Sequence, residues 1–350
     1  MNFKIHFFIA VLCCILCSDL CSPNGILFGS DDSGQSKNAK TCSVFPANPL
    51  LKKNKKIVLI AGDEEYRSEE AMPQLAKILA RHHGFDTAVL YAIDPKSGCI
   101  VPTVLNNIAD LDQIRDADLV ILAIRFRNLP ADQMKVFENY LKQGRPLLAL
   151  RTSTHAFNFP KESPYARYSW NYKGPEKEWI GGFGRKILGE TWINHHGSHG
   201  KQGTRMFIAS GRENDPLFKG VSRVNLPSDV YEVRLPLPDD STVLAYGAVI
   251  DGLAEKDPIL KSPKNDPMMP VLWTKSYQIP GGKKGIAMTS TMGCGVDLLN
   301  EGFRRLLVNC SYQLLGLEKS IPDRSNVELI GPYSPSPFGF GKFSPNLRPE

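Results

Sequence analysis

The alternation of apolar and polar positions divides the chain into a strand–helix half and a strand-rich half. Lys56-Ile-Val-Leu-Ile-Ala61 is a short apolar run stopped by Gly62, the pattern of a strand buried on both faces. Met72, Leu75, Ile78 and Leu79 then recur at helical spacing, with Pro73 fitting only near a helix start and Gly84 closing the helix. Phe85–Tyr91, Ala117–Ile124 and Pro146–Leu150 predict three more strands. Pro130 opens a helix before the last of these, whose Met134, Phe137 and Leu141 face inward until Gly144. Strands alternating with amphipathic helices predict an α/β fold, a parallel sheet covered on both faces.

The second half reads as strands over Arg205–Ala209, Val230–Leu235, Thr242–Tyr246, Val271–Thr274 and Gly285–Thr291. Asp297 is expected to cap a last helix carrying Leu298, Leu299, Phe303, Leu306, Leu307, Cys310 and Leu314, stopped by Gly316. Long insertions are expected at Thr152–Gly203 and Asp251–Pro270, within one elaborated domain over residues 56–318.

The two ends read differently. Residues 1–22 have the form of an export signal: Lys4, then 11 apolar residues from Phe7 to Cys17, ended by Asp19. That is well short of the roughly 20 residues of a membrane span, so an exported protein, periplasmic or extracellular, is expected. Lipidation at Cys17 or Cys21 is the rival reading. Residues 23–55 read as a linker. Residues 319–350 form a Pro-rich extension, with six Pro from Ile321 onward, expected to pack along the body through Tyr333, Phe338, Phe340 and Phe343.

Composition narrows the function classes. The 350 residues carry 42 Lys+Arg against 36 Asp+Glu, a net +6 with no basic block, which argues against a nucleic-acid partner. No other segment could span a membrane, and oligomeric state is left open. Beyond the leader only Cys42, Cys99, Cys294 and Cys310 remain, none in C-x-x-C spacing, so at most one disulfide is expected. The chain lacks G-x-G-x-x-G, the P-loop signature and G-x-S-x-G, and no cofactor is predicted.

Ligands of open α/β sheets bind beyond the carboxyl ends of the strands. Those ends carry Asp63, Glu64, Tyr66 and Arg67; Arg125 and Arg127; Arg151, Thr152, Ser153 and His155; and Cys294. Trp170, Trp179 and Trp192, three of the four Trp, fall within 23 residues and could stack on the apolar faces of sugar rings. His195, His196 and His199 cluster in Asn194-His-His-Gly-Ser-His-Gly200. Proton transfer by a His is the first reading, a structural turn the second, and a divalent ion such as Zn²⁺ the third.

The runs Arg145-Pro-Leu-Leu-Ala-Leu-Arg-Thr-Ser-Thr-His-Ala-Phe157, Gly181-Gly-Phe-Gly184, Trp192-x-x-His-His-Gly-Ser-His-Gly200, Asn214-Asp-Pro-Leu-Phe-Lys-Gly-Val221 and Gly285-Ile-Ala-Met-Thr-Ser-Thr-Met-Gly293 resemble, in that order, the ThuA-like (trehalose utilisation) family. The likeness covers about Lys55 to Glu318. It implies a flavodoxin-like fold related to class I glutamine amidotransferases, and a role with trehalose and other disaccharides through keto-sugars. Read without gaps from Pro146, Arg151 stands where those amidotransferases carry their nucleophilic Cys, so glutaminase activity is not expected. Cys294 stands where the family often has His. The reading that follows is an enzyme acting on a small carbohydrate by hydrolysis, elimination or isomerisation. His155, His195, His196 and His199 would move protons, and Arg151 would polarise a carbonyl or hold an oxyanion with Arg125 and Arg127. Asp63, Glu64, Tyr66, Arg67, Thr152, Trp170, Trp179, Trp192 and Cys294 would contact substrate. A non-catalytic carbohydrate-binding or partner protein and a metal-dependent hydrolase are the alternatives.

Overall fold

A computed structural model of the protein describes residues 40–350; the expected export signal and the first part of the expected linker lie outside them. The strands are β1 (Cys42–Phe45), β2 (Lys56–Gly62), β3 (Asp86–Tyr91), β4 (Leu119–Ile124), β5 (Leu147–Leu150), β6 (Gly203–Ile208), β7 (Asn225–Leu226), β8 (Ser241–Ile250), β9 (Met269–Tyr277) and β10 (Gly285–Ser290). The α-helices are α1 (Ser68–His83), α2 (Ala131–Lys142) and α3 (Glu301–Leu314).

The ten strands of the described residues form one sheet in the order β1-β3-β2-β4-β5-β10-β9-β8-β6-β7. From β3 to β10 every neighbour is parallel. Counting only these five strands along the chain, their order is 2-1-3-4-5, the flavodoxin order, with its topological switch point between β2 and β4. The α/β class holds. An antiparallel extension, β9-β8-β6-β7, continues the sheet beyond β10.

The pleat sorts the core into two layers. Ile57, Leu59 and Ala61 of β2 pack with Leu75 and Leu79 of α1 and Phe303 and Leu307 of α3. Val58 and Ile60 face the other way, onto Met134 and Phe137 of α2 and onto Trp179, Phe183 and Ile187 of the first insertion. Each such fully buried aliphatic side chain contributes about 2 kcal/mol by leaving water. The insertion therefore serves as the covering layer that a further helix would otherwise supply.

Several expectations shift. Residues 42–45, expected as linker, add an edge strand antiparallel to β3. Val230–Leu235 is not a strand: only Tyr231 makes a bridge, to His195. Asn300, not Asp297, caps α3, its side chain accepting from the Phe303 N–H at 2.9 Å. Asp297 instead accepts from the N–H groups of Gly293 and Cys294, fixing the short turn before the helix. Cys42, Cys99, Cys294 and Cys310 are all unpaired. Among the described residues no helix is long and apolar enough to cross a membrane.

The Pro-rich extension has no regular structure beyond Ser320, yet is tied down along its length. Tyr333 donates to the Gly295 carbonyl at 2.6 Å, the Ser336 N–H to Glu70 at 2.6 Å, and Ile100 donates to the Leu347 carbonyl at 2.7 Å. Its first segment docks on the end of α1, where the ring of buried His83 lies 2.7 Å from the Asn326 carbonyl and 3.2 Å from the Tyr312 hydroxyl. Burial disfavours the imidazolium and lowers the His83 pKa to about 4 from 6.5. Between those values the unfolded chain binds the extra proton, so stability rises with pH. Lowering the pH from 7 to 4 is therefore expected to remove on the order of 3 kcal/mol through this group. His83→Gln should flatten that part of a pH series of urea titrations; an unchanged slope would show that His83 does not carry it.

Candidate functional site

The turns that follow β2, β4 and β5 meet at the switch point. Three of the six non-glycine residues with positive φ among the described residues sit there: Arg67 (φ 58°), Phe126 (φ 50°) and Arg151 (φ 41°). Each such conformation costs of order 1–3 kcal/mol and persists only where surrounding contacts impose it. Asp63 supplies some of those contacts. It accepts from the N–H groups of Glu65 (2.7 Å) and Tyr66 (3.1 Å) and from the Thr152 hydroxyl, joining the β2 turn to the β5 turn.

Arg151 is the centre of the arrangement. Its guanidinium is buried and donates to Asp229 Oδ1 at 2.7 Å, to the Asp229 carbonyl at 3.0 Å, to the Thr291 carbonyl at 2.9 Å and to the Tyr66 hydroxyl at 3.0 Å. The rings of Tyr66 and Tyr231 lie 4.1 and 4.3 Å from its central carbon. Burial works against its charge, but Tyr231, Tyr66 and Asp229 outweigh burial and raise its pKa. Burial alone would likewise protonate Asp229; Arg151, then His195 and His199, reverse this and hold its carboxyl well below the usual carboxylate range.

Asp229 comes from the antiparallel half, just after β7. Residues 194–197 run antiparallel beside it: the His196 N–H donates to the Val230 carbonyl at 2.8 Å and the Glu232 N–H to the Asn194 carbonyl at 2.9 Å. This pairing sets His195 Nδ1 2.7 Å from Asp229 Oδ2. His199 Nδ1 lies 3.2 Å from Asp229 Oδ1 and 3.3 Å from the Tyr66 hydroxyl, and its Nε2 lies 3.3 Å from Glu65 Oε1. The two imidazole rings are 4.6 Å apart and both partly exposed, whereas Asp229 is fully buried.

Aromatic side chains wall this group. Trp170 and Trp192 are 5.8 Å apart, centroid to centroid; Phe126 lies 5.7 Å from Trp170 and His195 5.8 Å from Trp192. His155 lies between Phe126 (5.1 Å) and Trp192 (5.4 Å), its Nδ1 3.2 Å from the Thr154 hydroxyl. Burial, then the charges of Arg125 and Arg151, push its pKa well down, so it stays neutral. Arg125 pairs with Glu64 and lies over the Phe126 ring. Burial and then Asp63 raise the pKa values of Glu64 and Glu65 against the pull of Arg125.

Of the residues singled out from sequence, His195, His199, Arg151, Tyr66, Glu64, Arg125, Trp170, Trp192 and His155 come together here. Others stand apart. His196 turns away to the Lys264 carbonyl. Trp179 is fully buried against Tyr168 and belongs to the core layer. Arg127 is buried and donates to the carbonyls of Val104, Pro102 and Arg125 besides Glu64. Arg67 is buried and spans carbonyls of Glu64, Glu65 and Gly339. Thr152, Asp63, Ser153 and Cys294 support the turns. Ser153 accepts from the Ile124 N–H, and burial raises the Cys294 thiol pKa well up. Asp229 and Tyr231 carried no sequence signal; Glu65 stood beside Glu64, and Phe126 between Arg125 and Arg127, in runs already marked. A cavity of about 710 Å³ opens elsewhere, between Phe159, Arg167, Tyr172 and Glu176, and contains none of the imidazoles.

No family model matches the sequence, and no curated protein matches it. Solved structures do. A protein named as ThuA-like from Bacteroides uniformis is 16% identical, with 80% of this chain and 98% of that one covered and a TM-score of 0.47. Another so named, from Parabacteroides merdae, is 15% identical over 75% of this chain and 91% of that one, with a TM-score of 0.45. A beta-galactosidase from Rahnella sp. R3 is 13% identical over 76% of this chain and 31% of that one, with a TM-score of 0.36. This chain is similar to the ThuA-like proteins. None of these likenesses is close enough to carry a function across. In this chain the turn after β5 holds a guanidinium, not a thiol, and that guanidinium is taken up by Asp229.

Arg151→Met leaves Asp229 buried without its cation, and a broken buried pair costs about 3–5 kcal/mol. Urea unfolding should show that loss, and the double variant Arg151→Met/Asp229→Leu should regain part of it. Unchanged stability in the single variant would mean that the pair does not hold the turns together.

Proposed function

We propose that this chain is a carbohydrate-directed enzyme whose chemistry is proton transfer by His195. One observation carries the reading: His195 Nδ1 lies 2.7 Å from the fully buried Asp229 carboxylate, while the imidazole itself is partly exposed beside Trp192. With its proton on Nδ1, donated to Asp229, the ring presents Nε2 as a base, and Asp229 stabilises the imidazolium that forms. Hydrolysis, elimination and isomerisation of a keto-disaccharide or glycoside each need a proton moved at carbon or oxygen, so the reading does not depend on which occurs. Arg125 offers a cation for a carbonyl or developing oxyanion. His199, between Tyr66, Asp229 and Glu65, offers a second proton-transfer group on the same face. Trp170 and Trp192 would stack on the apolar face of a sugar. The keto-disaccharide class rests on the motif resemblance, and the leader read at residues 1–22 would place the enzyme outside the cytoplasm.

Incubation with disaccharides and their 3-keto derivatives, followed by product analysis, tests this. His195→Ala should lower kcat by about 100- to 10,000-fold, Asp229→Asn should also lower it, and His196→Ala should leave it within about twofold. Equal turnover in wild type and His195→Ala would remove the assignment; sugar binding without turnover would favour a non-catalytic carbohydrate-binding protein.

A divalent ion is the second reading, because donor atoms of His195, His199 and Asp229 lie within 4.8 Å of one another. Against it, the buried Arg151 cation lies 2.7 Å from one Asp229 oxygen and would repel the ion, while His195 Nδ1 occupies the other oxygen. Turnover should therefore survive exhaustive chelation. Loss on chelation with recovery on adding Zn²⁺ would move the assignment to the metal.

A further inference from the structure

The Pro-rich extension reaches the candidate site at residues 338–340, and its fixed point there is Gly339. The Gly339 N–H donates to the Glu65 carbonyl at 2.8 Å, and the Gly339 carbonyl accepts from Arg67 at 2.8 Å. The backbone there has φ 142°, a conformation side chains rarely adopt. On either side of this fixed point stands a phenylalanine. Phe338 lies 5.4 Å from Tyr66 and 5.3 Å from His199, centroid to centroid. Phe340 lies 4.9 Å from the Arg125 guanidinium, which also meets Phe126 at 4.2 Å, and remains 60% exposed.

These contacts close a rim. From Trp170 one line of rings and cations runs through Phe126 and Arg125 to Phe340. From Trp192 a second runs through His195 and His199 to Phe338. The tryptophans touch at one end and Gly339 joins the phenylalanines at the other. The proposed proton-transfer groups lie along one side, between the two aromatic ends. A single pyranose stacked on the tryptophans would leave the strap end bare, with an apolar ring beside a guanidinium, a combination that suits a sugar's C–H face and its hydroxyls.

We propose that the extension forms a second sugar subsite, in which Phe340 stacks on the ring across the glycosidic bond from the one held by Trp170 and Trp192, with Arg125 bonding its hydroxyls. The proposal rests on the carbohydrate reading above and adds the direction in which a disaccharide lies, across His195 from tryptophans to strap.

The test is titration of the intrinsic tryptophan fluorescence of the full chain with trehalose, with 3-ketotrehalose and with glucose. Phe340→Ala changes an exposed side chain, and circular dichroism will show that it folds. It is expected to weaken both disaccharides about 5- to 10-fold and to leave glucose within twofold, while Trp192→Ala weakens all three. Gly339→Ala, which displaces the strap backbone, should reproduce the disaccharide loss. If wild type binds the disaccharides and Phe340→Ala binds them equally well, or loses glucose in the same proportion, the subsite is overturned while the carbohydrate reading stands. If wild type binds none of the three sugars, the carbohydrate reading fails and the subsite with it.

Discussion

The buried pair of Arg151 and Asp229 is the constraint on which the rest of the site depends. Taking two charges out of water costs several kcal/mol per ion, and the attraction between them compensates only if every remaining hydrogen-bonding group is used. The fold meets most of that demand. Arg151 uses its two terminal nitrogens on a carboxylate, two carbonyls and a phenol, and two tyrosine rings lie 4.1 and 4.3 Å from its central carbon. The partners come from the ends of β2 and β10 and from the loop after β7. One guanidinium therefore locks the parallel half of the sheet to its antiparallel extension, and the left-handed backbone at Arg151 is held by those contacts.

The same pair decides the electrostatics. A carboxylate as buried as Asp229 would ordinarily take up a proton, and it would then have no charge with which to orient an imidazole. Because Arg151 keeps it ionised, each carboxylate oxygen faces one histidine, and His195 and His199 are oriented from beneath while their rings meet solvent. His155, which meets the same Trp192 ring as His195 but is buried, is held neutral instead by that burial and by the charges of Arg125 and Arg151. Three histidines close in space thus have different roles because of what lies behind each ring.

The layout also explains why the chain is long for a flavodoxin-like body. The first insertion supplies a core layer through Trp179, Phe183 and Ile187, and a wall through Trp170 and Trp192. These two uses alternate along one segment. The C-terminal extension likewise has an anchoring function at Tyr333, Ser336 and Leu347, and reaches the site only at Phe338–Phe340.

The sequence by itself determined the parallel half. Helical and strand periodicities, glycine stops at Gly84 and Gly144, and the run of polar residues after each strand are local signals, set by which side chains leave water and by which residues tolerate a turn. They place β2 to β5 and α2 within about two residues and end α1 at Gly84, although α1 begins at Ser68 and so carries Pro73 inside it rather than at its start. The polar runs mark Arg151 and Glu64, and the histidine cluster marks His195. What the sequence could not show is which of the marked residues face a common space. Trp179 and Trp192 look alike as letters, and so do His195 and His196, but the covering layer buries Trp179 and the pairing of residues 194–197 with 229–232 turns His196 away. Asp229 carried no mark, because its role exists only once Arg151, 78 residues earlier, has been folded against it. Only the tertiary structure decides such cases. Burial and charge compensation are properties of what surrounds a group, and those surroundings come from strands far apart in the chain.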